Sequence, residues 1–221
     1  MVSKNETIDC PHIILCQGID EKKFLIYYLN NPGLKEYPFL SRNVQIIDFG
    51  GNEELSDKLN VLKITPGFVS AKSLLIIRDA EKKPESAVCQ IQGSLKKACL
   101  PVPSGPGEWE SRDSNLKTGF LLFPSCDKTV KEGTLEDLCL SILNQPDSTD
   151  MLSEIQTFLE QLKKGFGRKF PHEHKSKLHT YFSITDKFVG MKIGEAAKAQ
   201  AFDWNSENLN FLKSFLADME A

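Results

Sequence analysis

The sequence lacks the features that mark several common classes of protein. Its 221 residues carry a net charge of -3, so any contact with nucleic acid must come from a local basic patch rather than from the molecule as a whole. No apolar run is long enough to cross a membrane, and the polar start of the chain is unlike a signal peptide. We therefore expect a cytoplasmic protein without a membrane partner.

The cysteines and the absent motifs exclude further classes. None of the six cysteines forms a Cys-x-x-Cys pair, and Cys16, Cys89, Cys126 and Cys139 fall in or beside apolar runs. This pattern is typical of buried thiols in a reducing compartment and argues against a zinc site or a disulfide framework. There is no Gly-x-x-x-x-Gly-Lys loop and no Gly-x-Ser-x-Gly elbow, which argues against a P-loop ATPase and a serine hydrolase.

What the sequence does contain is a regular alternation of strand and helix signals. Four apolar runs that end in turn or acidic residues predict strands at 12–16, 44–49, 74–81 and 119–124. Apolar stripes between the first three strands predict connecting helices, and this order is typical of a parallel sheet with right-handed crossovers. We expect an α/β fold with a central, mainly parallel sheet of about four strands and flanking helices.

The rest of the chain predicts helices and one long loop. Helices are expected at 86–98, 151–164, 190–199 and 206–219, and a turn-rich loop at 101–118. Asp20 and Asn52 are expected to cap helices, and Thr134 with Asp137 resembles a capping box. We expect an α/β core over 1–145 and a helical C-terminal extension over 146–221, packed together as one compact unit.

The ends of the first three strands carry residues suited to chemistry. Because the carboxyl ends of parallel strands meet at one edge of a sheet, residues far apart in sequence should converge there. Acids at i and i+2 on an extended chain point the same way, so Asp79 and Glu81 could share one Mg²⁺ ion. The alternative is a solvated strand end. The other residues at these strand ends are Gln17, Gly18, Asp20, Gly50 and Gly51.

Two later stretches add candidates. Glu136 lies in the first turn of a predicted helix, and because Asp137 serves the capping box, Glu136 is left as a candidate for the site. A basic stretch at 163–177 could hold phosphate, although such a run is more often a solvated face. His172 and His174 lie within it, in a predicted polar loop without a matching cysteine, which argues against zinc.

The order of these motifs resembles the Toprim fold, the catalytic module of topoisomerases, bacterial primases, ribosomal RNA maturases and overcoming-lysogenisation-defect nucleases. In that fold a Glu-Gly pair follows the first strand, a Gly ends the second, and Asp-x-Asp ends the third. From about residue 12 onward, the chain most resembles an uncharacterised family of small stand-alone Toprim-like proteins. The matching segments are Leu15-Cys16-Gln17-Gly18-Ile19-Asp20-Glu21, Gly50-Gly51, Asp79-Ala80-Glu81, Gly133-Thr134-Leu135-Glu136-Asp137 and Lys175.

The resemblance implies a Mg²⁺ site with named roles. It assigns the metal to Asp79 and Glu81, catalytic roles to Asp79, Glu81, Glu136, Gln17 and Asp20, and phosphate binding to Gly18, Gly50, Gly51 and Lys175. The chain departs from the pattern where Gln17 replaces the Glu that acts as acid/base or metal ligand, and where Ile19 replaces a Lys. A glutamine has no titrating proton and cannot perform acid/base work.

Two functions follow as expectations. The first is a degenerate Toprim-like protein that binds nucleic acid or a nucleotide beside a residual Mg²⁺ site, which the substitution at Gln17 favours. The alternative is a Mg²⁺-dependent nuclease or phosphotransfer enzyme acting on nucleic-acid phosphodiesters, in which the metal neutralises charge and positions a water. An unrelated small-molecule enzyme using the same crevice has only the versatility of the fold in its favour.

Overall fold

The computed structural model describes residues 7–51, 54–111 and 115–220. It confirms an α/β fold with a mainly parallel sheet and flanking helices. The strands are β1 His12–Cys16, β2 Val44–Asp48, β3 Ser73–Asp79, β4 Trp109–Glu110 and β5 Lys117–Phe123. The helices are α1 Ile19–Leu29, α2 Phe39–Arg42, α3 Leu55–Ile64, α4 Pro84–Lys97, α5 Leu135–Ser141, α6 Ser148–Phe166, α7 Glu173–Ile184, α8 Ile193–Lys198 and α9 Asn210–Ala217.

The order of the strands in the sheet is β2-β1-β3-β5-β4. The pairs β1/β2, β1/β3 and β3/β5 are parallel, and β4 pairs with β5 in the antiparallel sense. From β1 the chain moves to one side of the sheet, and from β3 it moves to the other. The boundary between β1 and β3 is therefore a topological switch point, where open α/β sheets form a crevice at the carboxyl ends of their strands.

Helices cover both faces of the sheet, which explains the nearly continuous apolar runs of β1, β3 and β5. Helices α3 and α4 pack on the face that includes Leu15 and Ile76. Helix α1 and the helices from α5 onward pack on the opposite face, which includes Ile14 and Ile77. Alternate residues of one strand therefore face two separate cores.

The short strand β4 lies in the stretch predicted as a loop. Trp109 pairs with Gly119 of β5, and its ring stacks on Phe215 of α9 with centroids 4.7 Å apart. Two residues carry too little periodicity to predict a strand, and their pairing depends on a partner that is distant in sequence. The sheet consequently has a fifth strand, added at its edge.

The structure corrects several local predictions and confirms one. Helix α1 begins at Ile19 with Gly18 at the N-cap position, so Asp20 is not the cap. The capping box is confirmed, because Thr134 N donates to Asp137 Oδ2 at 2.9 Å. Cys89 is exposed rather than buried, and Asn52 lies outside the described residues.

The basic stretch contains a helix that the sequence analysis did not predict. Helix α7 begins at Glu173, so His174 is helical and only His172 precedes the helix. Three of its side chains at helical spacing, Leu178, Tyr181 and Phe182, are buried. Burial of this stripe overrides the polar composition of the stretch.

The C-terminal part of the chain packs closely on α1. Phe24 of α1 contacts Phe202 and Trp204 with ring centroids 5.7 and 5.2 Å apart, and all three side chains are buried. The division into a core over 1–145 and an extension over 146–221 stays a prediction. Within the described ranges, no helix combines the length and apolarity that a bilayer span requires.

The Trp109 stack generates a prediction about Gly119. A Cβ at Gly119 would lie 2.8 Å from Trp109 Cε3 and 3.0 Å from Phe215 Cζ, so Gly119→Ala should force the two rings apart. We expect a loss of about 1–3 kcal/mol in the free energy of unfolding, measured by urea denaturation.

Gly93 supplies the control, because it lies within α4 and a Cβ there meets nothing within 4 Å. Gly93→Ala should stabilise the protein by roughly 0.5–1 kcal/mol through helix propensity. If Gly119→Ala also stabilised the protein, the packing described for α9 against the sheet edge would be wrong.

Candidate functional site

The ends of β1 and β3 are joined at the switch point through Asp79. Its backbone N–H donates to Gln17 Oε1 at 3.3 Å, and its carboxylate Oδ1 accepts from the backbone N–H of Leu135 at 2.8 Å. Asp79 is the last residue of β3, and Leu135 is the first of α5. These two bonds bring together the loop after β1, the end of β3 and the start of α5.

Four carboxylates converge at this position, and we call Asp20, Glu21, Asp79 and Glu136 the acidic cluster. The thiol of Cys139 is fully buried beside them. Its pKa is raised well above the usual value by burial, and further by the charges of Glu136, Asp79, Asp20 and Glu21. The N–H of Leu135 binds Asp79 one residue before Glu136, and the Glu21 carboxylate lies over Gly18 at the end of β1, so residues from α1, β3 and α5 adjoin at this edge of the sheet.

Within the acidic cluster, the pKa values of Asp79 and Glu21 are raised by burial and by the neighbouring carboxylates. Burial, followed by the charge of Glu21, raises the pKa of Asp79 from its usual 3.8 to about 8, although the hydrogen bond from Leu135 opposes this. Burial also raises the pKa of Glu21, with Glu136 and Asp20 adding to the effect. Negative charge is therefore crowded at the site beyond what its surroundings compensate.

Lys175 of α7 brings a positive charge to the acidic cluster. Its Nζ lies 3.3 Å from Oε1 of Glu136, whose residue is only 8% exposed. Burial lowers the pKa of Lys175, but the charges of Glu136, Asp79 and Glu21 outweigh this and raise it overall. Lys175 is therefore tied to the acidic cluster by its ion pair with Glu136, and its role in phosphate binding stays a prediction.

The backbone at Glu81 departs from the extended conformation. Glu81 has a φ of 58°, in the left-handed region, and pairs through its N–H and C=O with Gly133 at 2.8 and 3.0 Å. The alternation rule that would direct Asp79 and Glu81 to one side holds only for extended chain. Their sharing of one metal ion stays a prediction.

The three glycines predicted to bind phosphate lie at two strand ends. Gly18 follows β1, and the Glu21 carboxylate lies over it, since a Cβ at Gly18 would be 3.0 Å from Glu21 Oε2. Gly50 and Gly51 follow β2, where Gly50 has a φ of 89° that favours glycine. Their role in phosphate binding stays a prediction.

The residues of the acidic cluster suit Mg²⁺ in chemistry. Mg²⁺ prefers oxygen ligands and commonly takes one or two carboxylates with several waters. Oδ1 of Asp20 is buried and has no hydrogen-bond partner among the residues that the structure describes. Among the described residues, no three His, Cys, Asp or Glu side chains form a group ready to hold a metal. A metal here would therefore rely on two carboxylates and water.

Glu21 is the member of the acidic cluster to which the sequence analysis assigned no role. It lies four residues after Gln17 and within the segment that resembles the Toprim pattern. Helical geometry could have indicated Glu21 as a site residue. It lies in the first turn of α1, where a side chain points back towards the N-terminal end of the helix. Its carboxylate therefore lies near the place where Gln17 lacks one.

The basic stretch does not present one uniform face. Lys163 is paired with Glu160 at 3.1 Å and with Glu173 at 2.7 Å. His174 lies 4.0 Å from Asp137 through Nδ1, and its Nε2 is buried without a partner. A cavity of about 760 Å³ opens beside these residues, with Glu81, Thr134, Phe170 and His174 in its wall.

Comparison with known proteins identifies a family and a remote structural likeness. A family model described as "Protein of unknown function (DUF3226)" matches residues 11–220. No curated protein matches the chain. Two solved structures of the C-terminal region of the Xanthomonas campestris pv. campestris OLD protein are each 13% identical to this chain. The alignment with the structure phased with mercury covers 95% of this chain and 96% of that chain, with a TM-score of 0.45. The alignment with the structure phased with iodine covers 95% of both chains, with a TM-score of 0.46. At these TM-scores the likeness carries no conclusion about activity.

The raised pKa of Asp79 generates a stability prediction. Because the pKa rises from 3.8 to about 8 on folding, the folded protein keeps a proton that the unfolded chain has lost between those values, so wild-type stability should fall as the pH rises from 4 to 8 and then level off. Asp79→Asn retains an acceptor for Leu135 without the charge. We expect it to stabilise the protein by a few kcal/mol at most at pH 8, and much less at pH 4, measured by urea denaturation.

Asp137→Ala is the control of opposite sign. The Asp137 carboxylate accepts from Thr134 N within the capping box, and removal of this acceptor should destabilise the protein by about 0.5–2 kcal/mol. A loss of stability in Asp79→Asn as large as that in Asp137→Ala would indicate that the carboxylate of Asp79 is needed to anchor α5.

Proposed function

The chain belongs to the DUF3226 family, described as proteins of unknown function, and from its own residues we propose that the acidic cluster binds Mg²⁺ and, beside it, the phosphates of nucleic acid or a nucleotide. The observation that carries the proposal is the hydrogen bond from Leu135 N–H to Asp79, which sets Glu136 and its ion pair with Lys175 beside the topological switch point, where the Glu21 carboxylate lies over Gly18. Burying carboxylates together is unfavourable unless a cation or a retained proton offsets their charge. The predicted Toprim-like character of the fold is consistent with this site.

Each residue has a defined part in the proposed site. Asp79 and Glu21 would hold the metal, since Asp79 ends β3, the Glu21 carboxylate lies over Gly18 after β1, and the charge of Glu21 acts on Asp79. Asp20, whose Oδ1 is buried without a hydrogen-bond partner among the described residues, would accept a hydrogen bond from water at the site. Lys175, held by Glu136, faces the phosphate. The metal, when bound, neutralises charge on that phosphate.

Gln17 bears on whether the proposed site only binds phosphodiesters or also cleaves them. Its Oε1 is already engaged by the backbone N–H of Asp79, and its amide has no proton to exchange in acid/base work. We therefore place binding without cleavage first. A Mg²⁺-dependent nuclease is the second candidate, and one observation favours it: Glu21 brings a titratable carboxylate with a raised pKa over Gly18, the residue after Gln17.

Metal titration tests the first candidate. We expect calorimetry to detect binding of Mg²⁺ and Mn²⁺ to the wild type, and Asp79→Asn and Glu21→Gln each to weaken it by more than about tenfold. Glu85→Gln, an exposed acid in the first turn of α4, should leave the affinity unchanged. Absence of metal binding, or equal binding by Asp79→Asn, would rule out the acidic cluster as the metal site.

The same titration should depend on pH in a defined direction. Since the pKa of Asp79 is raised to about 8, a proton competes with the metal near pH 7, and the affinity should rise with pH until about 8 and then level off. Calorimetry in two buffers of different ionisation enthalpy should report proton release at pH 7. Asp79→Asn should abolish that release.

A nicking assay on plasmid and single-stranded DNA separates the two candidates. We expect no metal-dependent cleavage by the wild type, and cleavage in Gln17→Glu would identify a site that lacks only this acid. Cleavage by the wild type that is lost in both Glu21→Gln and Asp79→Asn would instead establish the nuclease. Cleavage that survives Asp79→Asn would be attributed to a contaminating enzyme.

A further inference from the structure

A second cavity lies on the other face of the sheet, at the C-terminal end of β3. It has a volume of about 690 Å³, which is in the range of small-ligand pockets. Helices α3 and α4 form its sides, and Arg78 of β3 lies at its inner end. Arg78 and Asp79 are consecutive on the strand, so their side chains leave opposite faces of the sheet.

Arg78 is a buried cation without an ion pair among the described residues. The residue is only 2% exposed. Its Nε donates to the backbone oxygen of Asp79 at 3.3 Å, and its Nη1 donates to Gln90 Oε1 at 2.9 Å. A guanidinium has five N–H donors, so this pairing leaves part of its fork without a protein acceptor. An arginine buried without a counter-charge is unfavourable unless an anion reaches it.

The rest of the cavity wall is rich in groups that would bind an anion. Lys83 and Lys97 add positive charge at its exposed rim, and hydroxyl groups come from Ser56, Ser86 and Ser94. Glu81 is the acid in the wall, and its charge acts on Arg78 from beyond ion-pair distance. Three cations and one carboxylate leave the cavity with a positive balance.

We propose that this cavity, the Arg78 pocket, is an anion site that binds a phosphate group through the guanidinium of Arg78, with Lys83 and Lys97 at its mouth. Arginine forms paired hydrogen bonds with phosphate oxygens, and lysine acts on them as a point charge. The phosphate belongs to a free nucleotide or polyphosphate, or to a nucleic-acid backbone. The pocket does not need the metal proposed for the opposite face, so the two sites can be tested separately.

Binding of pyrophosphate in a metal-free buffer with chelator is the first test. We expect saturable binding by the wild type in calorimetry, a loss of about tenfold or more in Arg78→Gln, and a smaller loss in Lys97→Gln. Lys96→Gln is the matched control, since Lys96 is exposed beside Lys97 on α4 but is not part of the pocket wall. Because the buffer holds no metal ion, this binding is measured separately from the proposed metal site.

A second readout does not depend on a substitution at the buried arginine. Cys89 is an exposed free thiol in the wall of the pocket, and Cys99 is an exposed free thiol outside it. Pyrophosphate should slow alkylation of Cys89 several-fold, measured by mass spectrometry of the modified peptides, and leave Cys99 unchanged. At a given pyrophosphate concentration, Cys89 should be protected less in Lys97→Gln than in Lys96→Gln.

Relative affinities distinguish the two sources of phosphate that the Arg78 pocket could bind. Tighter binding of pyrophosphate or a mononucleotide than of a short oligothymidylate would identify a free phosphate ligand, and the reverse order would identify a nucleic-acid backbone. No saturable binding, equal loss in Lys96→Gln and Lys97→Gln, or equal protection of Cys99 would overturn the proposal. In that case Glu81 would be the long-range counter-charge that makes the burial of Arg78 tolerable.

Discussion

The buried carboxylate of Asp79 is the constraint on which the rest of the site depends. It lies at the end of β3 and accepts a hydrogen bond from the backbone N–H of Leu135, while the backbone N–H of the same residue donates to Gln17. Because α5 begins at this point, Glu136 is brought to the same position one residue later. The end of one strand thus determines where the loop after β1 and the first turn of α5 must lie.

Placing several carboxylates close together lowers the stability of the folded protein, and the fold does not require it at Asp79. The anchoring of α5 requires only an acceptor for Leu135 N, and a neutral side chain at residue 79 could supply it. The carboxylate is nevertheless buried beside Glu21 and Glu136, and Asp20 retains an unpartnered oxygen. Unfavourable burial of this kind is concentrated at functional sites, because charge that destabilises the fold is useful for holding a ligand.

The two faces of β3 carry opposite charge at adjacent positions. Arg78 faces the side covered by α3 and α4, and Asp79 faces the side that includes α1 and α5. Each is buried, and burial lowers the pKa of Arg78 and raises the pKa of Asp79. The strand alternation that separates two apolar cores along β3 therefore also separates the acidic cluster from the Arg78 pocket.

The sequence by itself determined the parallel strands, the capping box and the convergence of strand ends, because apolar runs and caps are local and parallel strands share an edge. Tertiary structure alone decided the rest. Strand β4 exists through its pairing with Gly119, and α7 through a buried stripe. The left-handed φ of Glu81 and the approach of Glu21 to Asp79 depend on backbone angles and packing between distant segments, which residue spacing does not specify.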